Sequence, residues 1–184
     1  MFDWIKEYFR KRAIKAFKPA GNSRFLNLKD VESVGFVYNL SSAESVGEIC
    51  EVYNFLKWRG FKISFIVVET KKGTLATLAE PLEYPDMHIV KFEDLNWIGE
   101  IVESEEYTEF LSRKSNVFIS FNPDNNFSLN CVVNRVVSDL RIGMTNDMPV
   151  LYDMVVEGKD KSLLSPFDYL NQIFHYLKII KSID

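Results

Sequence analysis

The sequence predicts an α/β fold, a three-layer domain built on a mostly parallel sheet. Two observations carry this. Short apolar runs rich in Val, Ile and Phe alternate along the chain with amphipathic stretches of helical period. Several of those runs are nearly continuous rather than alternating, the pattern of strands covered on both faces, which is the usual situation of a parallel sheet.

The chain opens on a helix candidate, residues 2–17, with Phe2, Ile5, Phe9, Ala13 and Phe17 along one side and Trp4 and Tyr8 off that stripe. The first strand is 33–39 (SVGFVYN). A helix over 44–59 follows, with Val46, Ile49, Tyr53 and Leu56 at three- and four-residue spacing. Ser41 stands three residues before Glu44, the spacing of a capping box, and Gly60 stands where a left-handed cap residue is expected. The second strand is 61–68 (FKISFIVV) and the third 87–92 (MHIVKF). The stretch between them, TLATLAE, allows about two helical turns before Pro81 and Pro85 stop it. A short helix over 104–112 opens on acidic residues, then comes a strand at 116–121 (NVFISF). The helix at 127–137 carries Leu129, Val132, Val133 and Val136. Strands at 139–144 and 150–156 are separated by 145–149, too short for a crossover, and Asn146-Asp147 is turn chemistry. A hairpin is therefore expected there. Ser165, Pro166 and Asp168 open the last helix, whose stripe is Leu170, Ile173, Phe174, Leu177 and Ile180. The sum is a doubly wound, Rossmann- or flavodoxin-like sheet with one antiparallel edge and an N-terminal amphipathic helix. Residues 1–24 read as that basic helix and a linker, and 25–184 as a single α/β domain.

Composition narrows the classes. Fifteen Phe supply a sizeable core, and two cysteines do not make a disulfide framework. Cys50 and Cys131 read as small buried hydrophobes. No apolar run reaches the roughly twenty residues of a membrane span. Asp3, Lys6, Glu7 and Arg10 interrupt any signal-peptide core. A cytoplasmic protein is expected.

Charge is uneven. Residues 1–24 carry a net +5 while the whole chain is −4, which leaves −9 on the remainder. The acidic balance argues against nucleic acid. The expected arrangement docks Phe2, Ile5 and Phe9 on the domain with the basic side outward. The second reading is peripheral membrane or partner contact through Trp4, Lys6, Arg10 and Lys11. A protein partner or a homo-oligomer remains open.

Motifs for chemistry are missing. The sequence has no G-x-G-x-x-G, no G-x-x-x-x-G-K-[ST] and no G-x-S-x-G. The loop at 39–43 has no glycine, so close backbone approach to a pyrophosphate is not expected. His88 and His175 lie in different elements and give no convergent ligand set, so no metal and no cofactor are expected. Asp153 reads as a strand-end or surface carboxylate. Glu103, Glu105, Glu106 and Glu109 read as a solvated helix start favoured by the helix dipole. In an open α/β sheet, ligands bind beyond the carboxyl ends of the strands. The candidate ligand-binding residues are accordingly Asn39, Ser41, Ser42, Asn122, Asp124, Asn125, Thr145 and Asn146. They could grip a sugar or ribose hydroxyl, and they are equally common turn and cap residues.

Four segments carry a family resemblance: Asp94-Leu95-Asn96-Trp97-Ile98-Gly99, Leu140-Arg141-Ile142-Gly143, Tyr152-Asp153-Met154 and Gln172-Ile173-Phe174-His175-Tyr176-Leu177. Together they resemble an uncharacterised family of small proteins from the Bacteroidetes, over most of the chain including the basic helix. That family has no assigned activity. More distantly, the strand–helix succession through Arg141-Ile142-Gly143 is similar to the N-terminal half of lipopolysaccharide heptosyltransferases, a fold-level likeness. Those enzymes bind their nucleotide-sugar donor with a second domain, which is not expected here, and the 39–43 loop departs from their Gly-Asp character. The reading is a non-catalytic cytoplasmic module for interaction or small-ligand binding. The alternative is an enzyme or enzyme subunit acting on a sugar- or nucleotide-like substrate at the carboxyl edge of the sheet.

Overall fold

The structure, a computed structural model, describes residues 3–18, 24–157 and 164–180. One sheet holds β1 (Ser33–Leu40), β2 (Lys62–Glu69), β3 (Met87–Val90), β4 (Ser115–Phe121), β5 (Ser138–Gly143) and β6 (Met154–Val155). Its order is β3-β2-β1-β4-β5-β6, and every neighbouring pair is parallel. The helices are α1 (Asp3–Lys15), α2 (Glu44–Trp58), α3 (Glu105–Ser112), α4 (Phe127–Arg135) and α5 (Pro166–Ile179).

Both faces of the sheet are buried. Phe36, Phe65 and Ile119 face Ile49 of α2 and Leu170 and Ile173 of α5. Val37, Ile66 and Phe118 face Tyr107 of α3 and Leu129 and Val132 of α4. Successive residues of a central strand therefore enter two different cores, which is why the runs show no polar alternation.

The caps follow local chemistry. Ser104 accepts from the Tyr107 N–H at 3.1 Å, Asn126 from Ser128 N–H at 2.9 Å, and Ser165 from Asp168 N–H at 3.1 Å. α2 ends in a Schellman pair: Gly60 N–H donates to Lys57 O and Phe61 N–H to Leu56 O, with Gly60 at φ +83°. Its start differs from expectation. Ala43 is the N-cap and makes no side-chain bond, so Ser41 closes no capping box. Between β2 and β3 only a single 3-10 turn forms, Leu75–Thr77.

The expected antiparallel edge is corrected: β6 runs parallel to β5. The apolar run at 150–156 is not one strand. Pro149 opens a 3-10 turn, Pro149–Leu151, whose Leu151 plugs into the core, and only Met154–Val155 reach the sheet. With so short a last strand, the segment between Gly143 and Met154 is long enough to return over the face. Tyr152 makes the crossover fit. A Cβ on Gly143 would stand 2.6 Å from the Tyr152 ring, so the ring lies directly against the glycine backbone.

α1 docks on the domain through its second half. Phe17 stacks on Phe127 with ring centroids 6.4 Å apart, and Ala13 and Ile14 pack on Ile98 and Cys131. The Arg10 Nε–H donates to Ile98 O at 2.6 Å while its guanidinium lies over the Phe127 ring. The expected contacts lay nearer the start. Phe9 is 39% exposed and stands edge-on to the rings of Trp97, at 5.3 Å, and of its neighbour Tyr8, at 5.5 Å, and Phe2 lies outside the described residues. The seat depends on Gly99, at φ +89°, whose carbonyl accepts from Ser128 Oγ at 2.6 Å and where any Cβ would press on Arg10 and Ser128. Phe17→Ala should lower the unfolding free energy by about 1–2 kcal/mol, and Phe9→Ala by less than about 0.5 kcal/mol. Urea unfolding of the two variants beside the unaltered chain checks the ranking.

Candidate functional site: the carboxyl edge of the sheet

Because all strands are parallel, the loops after β1, β4 and β5 rim one edge. β1 has β2 on one side and β4 on the other, so the winding reverses between β1 and β4. In this class of fold that switch point is where a ligand crevice opens.

On the β1 side, Asn39 is half-buried and its Oδ1 accepts from Thr70 Oγ1 at 2.6 Å. Ser41 and Ser42 are exposed, with Ser42 Oγ 3.4 Å from Ser45 Oγ. The Tyr38 hydroxyl donates to the Glu48 carboxylate. Burial, reinforced by that carboxylate, raises the phenol pKa far above its ordinary value.

On the β4 side the asparagines bond to one another. Asn122 is buried; its Nδ2 donates to Asn126 O at 3.1 Å and to Asn130 Oδ1 at 3.0 Å, and its Oδ1 accepts from Asn126 N–H at 2.6 Å. Asn130 Nδ2 donates in turn to Asn125 Oδ1 at 2.6 Å. Asn125 holds φ +50°, a conformation Asn tolerates better than most residues. Asp124 is exposed at the tip.

Beyond β5, Thr145 is half-buried and Asn146 is exposed. Asn146 lines an open groove of about 460 Å³ with Pro149, Tyr152, Asp153 and Glu157 among its walls. The Tyr152 hydroxyl donates to Ser120 Oγ at 3.2 Å, and burial raises its pKa. Asp153 extends the sheet with its side chain: Oδ2 accepts from Arg141 N–H at 2.7 Å while Asp153 N–H donates to Arg141 O at 2.9 Å. Burial holds the Arg141 guanidinium below its ordinary pKa, and Asp153 opposes that shift.

The fold thus brings the three predicted loops to one edge, but Asn39, Asn122 and Asn125 are turned into the protein's own hydrogen bonds. The predicted contacts on α1 divide. Trp4 and Lys11 are exposed, Lys11 within 3.8 Å of Glu7, and Lys6 is half-buried. Arg10 is turned inward, as described above. Two residues escaped the sequence reading. Asn130 supplies the far side of the asparagine bracket. Glu69 is a buried carboxylate that accepts Leu75 N–H at 2.8 Å and Phe92 N–H at 3.1 Å, tying the loops after β2 and β3 together. An apolar strand that ends on a carboxylate was the available signal for it.

The remaining candidates are structural in their surroundings. Cys131 is buried, and burial pushes its thiol up to about 12. Cys50 Sγ lies 2.9 Å from the Tyr84 hydroxyl. His175 is exposed. Glu103 pairs with Arg135, and Glu109 lies 3.8 Å from Arg113. Among the described residues no group of three or more His, Cys, Asp or Glu is gathered as a metal site would require.

An open, all-parallel sheet in this order, with helices on both faces, defines a doubly wound α/β protein. Over residues 4–180, from α1 through α5, the chain belongs to a family of unknown function, DUF6913. No curated protein matches it.

Asn122→Ala should cost about 2–3 kcal/mol, because it strands the Asn126 N–H and the Asn130 carbonyl oxygen in a buried site; thermal unfolding measures it. His88 offers a pH test. It lies against Tyr107 and Phe110, and burial lowers its pKa below the ordinary 6.5; Arg113 adds to the shift, while Glu106 and Asp94 oppose it. Above that ordinary value the folded and unfolded chains both carry neutral imidazole, and the contribution is fully present. As the pH falls below it, the unfolded chain takes up a proton that the folded chain resists, so stability drops through the folded pKa. His88→Phe, which keeps a ring in the same place, should flatten the melting temperature against pH in this acid window.

Proposed function

We propose that this protein is a non-catalytic, cytoplasmic interaction module built on a doubly wound sheet. One observation carries the reading: the asparagines that flank the switch point at the carboxyl edge are held in the protein's own hydrogen bonds rather than aimed at a ligand. Asn122, Asn125, Asn126 and Asn130 close on themselves, and Asn39 is held by Thr70. Charge supports it. Glu44 and Glu48 flank the start of α2, and Asp153 and Glu157 line the groove, so a phosphate meets repulsion at both places. No helix among the described residues is long and apolar enough to cross a membrane. We take the source to be among the Bacteroidetes, on the resemblance carried together by the 94–99, 140–143, 152–154 and 172–177 segments.

A second reading rests on the groove at Asn146 and Tyr152. Its size suits a small ligand, and its carboxylates suit a neutral polyol better than a phosphate. The distant likeness to heptosyltransferases supports the same alternative, an enzyme or enzyme subunit acting on a sugar- or nucleotide-like substrate.

Thermal shift against NAD, nucleotide sugars, sugar phosphates and neutral sugars separates the two. The interaction reading expects shifts below about 1 °C throughout. A site filled at a hundred times its Kd gains about 2.7 kcal/mol, which would raise the melting temperature by several degrees. Such a shift, abolished by Asn146→Ala, would overturn the interaction reading in favour of the groove.

A further inference from the structure

We propose that the outward face of α1, together with Trp97, docks on an anionic lipid surface. The inference deepens the interaction reading and rests on it. Docking through Arg10, Ala13 and Ile14 fixes how the helix is rotated. At about 100° per residue, Trp4, Tyr8, Lys11 and Lys15 form one stripe on the far side. Their exposure agrees: Trp4 is 72% and Tyr8 59% exposed, and both lysines face solvent. Phe9 continues the patch sideways. Its ring stands edge-on to Trp97, itself 59% exposed, on the 94–99 loop. Two tryptophans and a tyrosine therefore lie in water around one docked helix, with lysines between them.

The chemistry selects the occupant. Indole and phenol rings settle at the headgroup level of a bilayer, where one end stays wet, and lysines beside them meet lipid phosphates. The patch is the convex outer side of a helix, so it offers a pocket to no peptide, whereas a lipid interface receives a convex surface. The charge division orients the molecule. Residues 1–24 carry +5 and the remainder −9, so an anionic surface attracts this end and repels the rest. Packing on its own domain and touching a membrane are therefore not alternatives for this helix, because they use opposite sides of it.

The test is co-sedimentation of the full chain with vesicles of phosphatidylcholine containing about one third phosphatidylglycerol, beside pure phosphatidylcholine, at low and high salt. Binding is expected to the anionic vesicles only and to weaken with salt. Lys11→Glu with Lys15→Glu should lose at least about thirtyfold in affinity, since two attractions become two repulsions. Trp4→Ala with Tyr8→Ala should lose about tenfold or more. Both double variants replace exposed side chains and should melt with the unaltered chain, which keeps the binding loss interpretable. Failure to bind anionic vesicles, equal binding to neutral ones, or undiminished binding by either double variant would overturn the proposal. So would concentration-dependent self-association abolished by the same substitutions, because a second copy would then cover the face. A silent small-ligand panel together with unbound vesicles removes the lipid surface and leaves the interaction reading standing.

Discussion

Among the described residues the six strands of the sheet all pair in parallel, and this constraint shapes everything else in the molecule. A parallel strand ends at the same edge as its neighbours, so each connection must carry the chain back over a face before the next strand can begin. α2 and α5 occupy one face, α3 and α4 the other. With both faces covered, the polar backbone of the strand ends and crossover starts crowds into one rim, and buried backbone groups there need partners. Glu69 and Asn122 are such partners: each stands at or just beyond a strand end and accepts hydrogen bonds from main-chain N–H groups of its own or a neighbouring loop. Asp153, just before β6, does the same for the Arg141 N–H within β5. Of the polar residues that look like a binding site in the sequence, Asn39, Asn122 and Asn125 are consumed in closing the fold.

α1 stands outside this logic and is held by a different one. It adds no strand and covers no sheet face directly. It sits on α4 and on the 94–99 loop, and that loop is itself organised by Asn96, whose Oδ1 accepts from the N–H groups of Ile98 and Glu100. Gly99 is what lets Arg10 and Ser128 approach the loop together. Arg10 spends its charge inward, on a carbonyl and an aromatic face, so the cations left exposed on the helix are Lys11, Arg12 and Lys15. The division of the helix into a structural half and a presented half thus follows from one arginine and one glycine.

Much of the architecture was legible because its causes are local. Continuous Val, Ile and Phe runs mark doubly covered strands, and Ser104, Ser165 and Gly60 mark helix ends by their own hydrogen bonds or backbone freedom. The failures have tertiary causes. The run at 150–156 has strand composition throughout, yet Leu151 is pulled into the α4-side core and Tyr152 is laid against Gly143, leaving two residues for pairing. Ser41 has cap chemistry, but β1 continues to Leu40 and the helix takes Ala43 as its cap, so the serine is out of reach of the first turn. The asparagines of the β4 loop could not be sorted by sequence at all. The same side chain grips a ligand or bridges a turn, and what decides is Asn130, eight residues along, on a helix whose inward face only the fold reveals.

The switch point between β1 and β4 is where this strand order gathers function in doubly wound proteins. Here each ingredient of an anion crevice is replaced by its opposite. A glycine turn that would let a phosphate approach the backbone is replaced by Leu-Ser-Ser-Ala. The first turn of α2, whose dipole would favour an anion, carries Glu44, and Glu48 one turn on already takes the Tyr38 hydroxyl. The asparagine bracket fills the facing loop. A fold can keep its strand order while the electrostatics of its crevice change, because the order is set by apolar burial and parallel pairing, to which the loop residues contribute little. What a phosphate would have met at the crevice is carboxylate; the solvent-facing lysines of α1 lie on a helix that covers no part of the sheet.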